Sequence, residues 1–318
     1  MSIKQINYSN NLLFIWHAYN FIKNNIKKTD LIIVHDPILL ILLQILYIKG
    51  YRNLVFDMHE NIIEDIKTKT HIPKFKRYLY LGIFRVIFLR FLSKIITIFA
   101  EESYQKSYPQ ILKSIVVLNY PNLLPPTKNF KHFQRKNLCY IGAVTRQRGI
   151  FKYLDIIEKL KETDIKLKII GKFYDKSLQT EVENIIQSKD LKVTLTGFIP
   201  SADLIHHTQD VAFGLCYLDD DRNLRQSNPT KIFDYINLEL IPIANKYPIT
   251  QKIMSEHGNK FLARDNKFTN HVVQIVNKCI DDDLFHTKLK RKVSSLKNKY
   301  NWNTEEDKFL KLVNQNVQ

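Results

Sequence analysis

Short apolar runs, each closed by a polar turn and followed by a helix-like stretch, recur along this chain. LIIV at 31–34 ends at His35-Asp36-Pro37, and LVFDMHEN (54–61) and IITIFA (95–100) follow the same plan. A run that stays apolar at successive positions buries both of its faces, as strands of a parallel sheet do. Between these runs lie ILLILLQILYIKG (38–50), a helix stopped by Gly50, and a helical stretch over 74–93; SIVVLNYPN (114–122) supplies a fourth strand. Strands alternating with helices imply βαβ units, so an α/β fold with parallel sheets is expected.

A Pro-Pro pair in a stretch without periodicity marks residues 123–137 as a linker. The pattern then restarts with NLCYIG (137–142), KLKIIG (166–171), KVTLTGF (192–198), VAFGLCYL (211–218) and LIPIAN (240–245), each pair separated by a helix. The expected division is a first Rossmann-like domain over 1–122, a second over 138–299, and a closing helix over 300–318, with Thr304 as its cap. Two doubly wound domains would leave a cleft between the C-terminal ends of their sheets, where open α/β sheets bind ligands.

With 318 residues, 45% of them hydrophobic and 25% charged, the chain suits two folded domains and excludes a disordered one. Three scattered cysteines, Cys139, Cys216 and Cys279, have neither disulfide nor metal spacing, and neither a secretory signal nor a spanning apolar run is present. A cytoplasmic location is expected. The formal charge of +17 favours an anionic partner. Nucleic acid is not the expected one, because no helix-turn-helix, zinc or aromatic RNA-binding signature accompanies the charge.

Three stretches are candidates for chemistry. In YIGAVTRQRGI (140–150) a strand ends at Gly142, a loop carries Arg146 and Arg148, and Gly149 opens a helix. Helix-start amides and a guanidinium suit phosphate oxygens, although an ordinary βα turn reads the same way. In TGFIP (196–200), Gly197 would let a flat ring approach the backbone and Phe198-Ile199 could wall it, or the segment is a turn with core packing. In SNPTKIFDY (227–235), Ser227, Asn228, Pro229, Thr230 and Lys231 form a turn into a helix whose first turns carry Asp234. The free amides, Lys231 and the helix dipole suit a diphosphate, and Asp234 suits a vicinal diol, or the acid merely complements the helix dipole.

In this order, YIGAVTRQRGI, KLKIIG, TGFIP and SNPTKIFDYINLELIPIAN resemble the C-terminal half of glycosyltransferase family 4. HDP (35–37), FDMHEN (56–61) and LNYPN (118–122) resemble the N-terminal half of its bacterial polysaccharide members, and YNWNTEEDKFLKLV (300–313) its closing segment. The resemblance implies a retaining, metal-independent enzyme of GT-B fold that uses a nucleoside-diphosphate sugar as substrate and no cofactor. The acceptor it implies is a saccharide, free or lipid-linked, in capsule, exopolysaccharide or lipopolysaccharide synthesis. By position, Arg148 matches the residue on the donor diphosphate and Gly197 to Pro200 the base wall. The family's paired glutamates fall on Gln226 and Asp234, and its earlier arginine on Ala143, so that contact is missing or supplied by Arg146. His59 matches the histidine near the sugar, with His35, Asp36 and Glu60 on the acceptor side and Asp57 or Glu60 to orient it.

The family's opening strand and glycine-rich loop have no counterpart before residue 31, which implies a shortened first domain with LIIV as an apolar edge strand. A second polypeptide completing that domain is one expectation; a homologue that binds donor without transfer, and an epimerase of the same fold, are the alternatives to the transferase. Residues 73–96 mix aromatics, aliphatics and cations with no acid. Contact with the inner face of the cytoplasmic membrane is expected there, a core helix with snorkelling cations being the other reading.

Overall fold

A computed structural model describes residues 11–69, 72–124, 136–219, 229–246, 250–251, 262–263 and 265–316. The chain forms two compact units, one of residues 1–119 with 305–318 and one of residues 120–304.

In the first unit, β1 (Ile32–Val34), β2 (Leu54–Met58), β3 (Ile96–Phe99) and β4 (Ser114–Val116) form a parallel sheet in sequential order. Helix α1 (Asn11–Asn25) precedes β1, α2 (Leu40–Ile48) links β1 to β2, and α3 (Ile62–Thr68), α4 (Lys74–Ile83) and α5 (Leu89–Leu92) lie between β2 and β3. The short α6 (Glu102–Ser107) joins β3 to β4. Val34, Phe56 and Phe99 on one face of the sheet share a core with Leu43, Leu46 and Leu92, and Val55 and Ile98 are buried on the other face. Burial on both faces is what the unbroken apolar runs require. Among the described residues β1 has a neighbour on one side only, as expected, but Ile32 and Val34 are buried rather than exposed.

Glu305 is buried, and its carboxylate accepts the Leu118 amide at 2.9 Å while pairing with Lys308. Thr304, expected to cap the last helix, instead sits inside its first turn (the helix is Trp302–Asn316) and donates to the Asn301 carbonyl. The expected helix over 74–93 runs from Lys74 to Leu92, with a π turn at Phe84–Phe88 inside it.

The second unit holds a six-stranded parallel sheet built of β5 (Asn137–Ile141), β6 (Leu167–Ile170), β7 (Val193–Gly197), β8 (Val211–Cys216), β9 (Ile241–Asn245) and β10 (Leu262–Ala263). Its order, β7-β6-β5-β8-β9-β10, is that of a dinucleotide-fold sheet, in which winding reverses between the first and fourth strands. Helix α7 (Ile150–Lys159) follows β5, α8 (Lys176–Ser188) follows β6, α9 (Leu204–His207) follows β7 and α10 (Thr230–Asn237) leads into β9. The reversal point therefore lies between β5 and β8, with Gly142 and Tyr217 just beyond their carboxyl ends. All three cysteines are buried and unpaired. No helix among the described residues is long and apolar enough to cross a membrane.

Candidate functional site

At the reversal point the backbone is shaped for close approach. Gly149, between Arg148 and α7, has φ +80°, and a Cβ there would meet the Tyr217 ring at 2.8 Å. Gly171 brings its Cα against the Gly142 carbonyl, so a side chain at 171 would collide with backbone. Glycine is the residue that meets both demands without steric cost.

Lys231, in the first turn of α10, is 8% exposed. Its ammonium donates to the Tyr140 hydroxyl at 3.2 Å and lies 4.7 Å from that ring's centre. Tyr140 in turn donates to the Ala143 carbonyl at 2.7 Å. Arg148 stands close enough to the same hydroxyl to act on it electrostatically, so two cations gather around one phenol. Burial, with Arg148 adding like-charge repulsion, pushes the Lys231 ammonium down to about 8. Burial likewise pushes the Tyr140 hydroxyl up to about 12, so it stays a neutral donor. Among the described residues neither Arg148 nor Lys231 has a carboxylate at ion-pair distance. The pair stands at the sheet's switch point and the start of α10, where anions bind.

Asp234 is half-buried three residues beyond Lys231, and burial pushes its carboxyl up to about 6 despite that lysine's charge. Its carboxylate borders a 640 Å³ cavity also lined by Ser201, Ala202, Leu204 and Asn237, so it faces the segment that follows TGFIP. Gly197 has φ +72° and is exposed, as is Phe198, whereas Ile199 packs against the unit's core. Pro229 precedes the first turn of α10 and is buried, and Thr230 is exposed. Arg146 is drawn elsewhere, into an ion pair with Glu181 of α8 and over the Phe151 ring. Gln226, Ser227 and Asn228 lie outside the described residues.

The first unit holds a second cluster, at the carboxyl ends of β1 and β2. Asp57 Oδ2 lies 2.8 Å from His35 Nδ1 and 3.0 Å from His59 Nε2, so one carboxylate oxygen joins both rings. Asn119 lies 3.2 Å from His59 Nδ1, and Tyr104 donates to the His59 carbonyl. The hydrogen bond from Asp57 raises the His59 imidazole above its ordinary value, outweighing partial burial, and Glu60 adds a smaller push. By donor type and spacing, within 4.8 Å of one another, the atoms of His35, Asp57 and His59 could also hold a divalent ion. Asp36 is committed locally, its carboxylate capping the next turn by accepting the Ile38 amide.

The structure thus brings Arg148 and Lys231 together with Asp234 nearby, brings His35 and His59 together, and sets Arg146 and Asp36 to other tasks. Sequence reasoning passed over Tyr140 and Asn119, although both stand inside stretches it singled out. Their residue types carry no charge, so only the fold reveals that they anchor the charged groups.

The profile of a family described as glycosyl transferases group 1 matches residues 126–296. No curated protein sequence matches the chain. Among solved structures, the Anabaena protein HepE in complex with UDP and glucose is 14% identical, with a TM-score of 0.69 over 96% of this chain and 81% of that one. A glycosyltransferase from Rickettsia africae is 17% identical, with a TM-score of 0.68 over 99% and 85%. The Thermosynechococcus elongatus sucrose-phosphate synthase is 13% identical, with a TM-score of 0.65 over 95% and 77%. At such identities these likenesses speak of fold, which is GT-B.

Proposed function

Since this chain belongs to the group 1 glycosyl transferases, we propose that it moves a sugar from a nucleoside-diphosphate donor to a saccharide acceptor with retention at the anomeric carbon. The observation that carries this reading is the gathering of Arg148 and Lys231 around the Tyr140 hydroxyl without a protein counter-ion among the described residues. A diphosphate supplies that counter-ion, and as the bond from the anomeric carbon to the diphosphate breaks, the charge left on the leaving oxygen grows where both cations point. The acceptor hydroxyl forms the new bond on the same face and passes its proton to that leaving oxygen. Charge neutralisation falls to Arg148, Lys231 and the start of α10, with no metal ion assigned to the step.

Asp234 is the acceptor for the ribose hydroxyls, lining the cavity beside Ser201 and Ala202. The exposed Gly197-Phe198 edge is the wall for the base. His59, held in orientation by Asp57 and Asn119, is the residue for contact with the sugar and acceptor, with His35 beside it. Uridine is the first choice of nucleoside, because both HepE and the Staphylococcus aureus protein TarM were solved with UDP. A lipid-linked saccharide of a surface polysaccharide is the proposed acceptor.

Calorimetric titration of the chain with UDP, GDP and ADP tests the reading. Saturable binding of one nucleoside diphosphate, lost in Arg148→Ala, is the expected result. Absence of binding by a folded chain, or unchanged affinity in Arg148→Ala and Asp234→Ala together, removes the donor-site assignment.

A further inference from the structure

Helix α4 and its continuation through the π turn to Leu92 are apolar on two opposite sides. One side is in the core, where Leu81, Phe84, Leu89 and Leu92 are buried. The other is in water: Phe75 is 68% exposed, Leu79 57% and Val86 57%, with Tyr78, Ile83 and Ile87 exposed around them. Phe75, Leu79, Ile83 and Val86 follow a helical spacing of about four, so they form one outward stripe. The π turn at Phe84–Phe88 adds a residue to the winding, letting Leu89, Phe91 and Leu92 turn inward while Val86 and Ile87 stay out. A contiguous apolar stripe of this size on a folded chain marks an interaction face.

Charge says what it meets. Lys76, Arg85 and Arg90 are exposed along the stripe, and the segment from 72 to 94 has no acidic residue. At its amino end Lys74 and Arg77 line a cavity of 190 Å³ together with Tyr78, Leu81 and Lys67, whose ammonium is paired with Glu64 at 2.6 Å. Arg77 is fixed there by donating to the Lys67 carbonyl at 2.7 Å. Aromatic and aliphatic side chains projecting outward between cations fit an anionic bilayer, the chains entering the acyl boundary and the cations meeting phosphates. A protein partner matching it would need an acidic rim around an apolar groove.

We infer that α4 and the π turn form a monotopic docking face for an anionic phospholipid bilayer, with the cavity at Lys74 and Arg77 as the seat of a headgroup phosphate. The inference stands apart from the donor chemistry: it uses none of the residues at the switch point, and nucleotide titration tests that chemistry separately.

The test is flotation of the full chain with vesicles of phosphatidylcholine alone and of phosphatidylcholine mixed with an equal part of phosphatidylglycerol. The chain should float with the mixed vesicles, be released by high salt, and bind phosphatidylcholine alone at least about tenfold more weakly. Leu79→Glu with Val86→Glu, at exposed positions, should leave the circular dichroism unchanged and lower mixed-vesicle binding at least about tenfold. Lys74→Ala with Arg77→Ala should lower it about fivefold for each cation removed. Equal binding to both vesicle types, or binding unaffected by the two glutamates, overturns the inference. So does a wild-type chain that ignores vesicles yet dimerises through the stripe and becomes monomeric in the double glutamate variant, which would make a second copy the partner.

Discussion

Lys231 carries its ammonium 3.2 Å from the Tyr140 hydroxyl and 4.7 Å above the same ring, in a place with almost no water. The phenol and its ring stabilise the charge only in part, because burial still lowers the lysine from 10.5 to about 8. Holding it charged at neutral pH costs on the order of 3 kcal/mol of stability. Lys231→Met keeps the volume and removes the charge, so it should raise unfolding stability at pH 7 by about 1–3 kcal/mol in urea titrations while abolishing UDP binding. In the wild-type chain the unfolded state holds the extra proton between about 8 and 10.5, so this group makes stability rise with pH across that window.

The same lysine ties donor binding to pH. A bound diphosphate favours the charged form, so binding near pH 8 should be accompanied by proton uptake. Calorimetry in two buffers of different ionisation enthalpy measures it directly. Affinity should fall as pH rises above about 8; a flat profile from pH 7 to 10 would detach Lys231 from the ligand.

Asp234 has the opposite sign. Its carboxyl is raised from 3.8 to about 6, so the stability of the neutral form is full below 3.8 and is lost as pH rises through about 6. With the side chain half-buried, Asp234→Asn should gain about 1 kcal/mol at pH 7 and flatten that decline. It should also weaken UDP about tenfold relative to the 2′-deoxy analogue, whose diol is incomplete. Equal losses for both nucleotides would place Asp234 away from the ribose.

Gly149→Ala asks a residue with φ +80° to carry a Cβ into the Tyr217 ring. Strain and overpacking together should cost about 2 kcal/mol or more, read from the urea midpoint of the second unit. Because Arg148 is the preceding residue, UDP affinity should drop as well.

Asp57→Asn should bring the His59 imidazole down, since the Asp57 hydrogen bond is the largest influence raising it. The titration is visible in the ring proton resonances, which should shift at lower pH in the variant. Turnover should fall further than affinity for UDP does, because His59 belongs to the first unit and the cations proposed to hold the nucleotide to the second.

Much of the fold was legible in the sequence because apolar runs such as VAFGLCYL have no other stable home than a doubly covered strand. The side of the second unit proposed to face phosphate stood out in the sequence too, since Gly142, Arg148, Gly149 and Lys231 are residue types tied to close approach or anions. What escaped was direction. Arg146 and Arg148 are two residues apart in one loop, yet the turn they share sends Arg146 to Glu181 and Arg148 to Tyr140. Asp36 read as a site residue because its type fits one, whereas the local competition of an aspartate for the amide two residues on decided its role. Strand ends were overrun as well: SIVVLNYPN keeps strand geometry only through Val116, after which Leu118 turns its amide to Glu305.

The bond from the Leu118 amide to buried Glu305 spans 187 positions of sequence. Residues 120–304 form a unit that is whole before Glu305 leaves the ribosome, so the part begun second is the part that can finish first. The four-stranded unit, made earlier along this stretch, keeps that backbone donor without its carboxylate until Glu305 has emerged. Its completion is therefore timed by the helix that carries Glu305, and until then it needs chaperone cover.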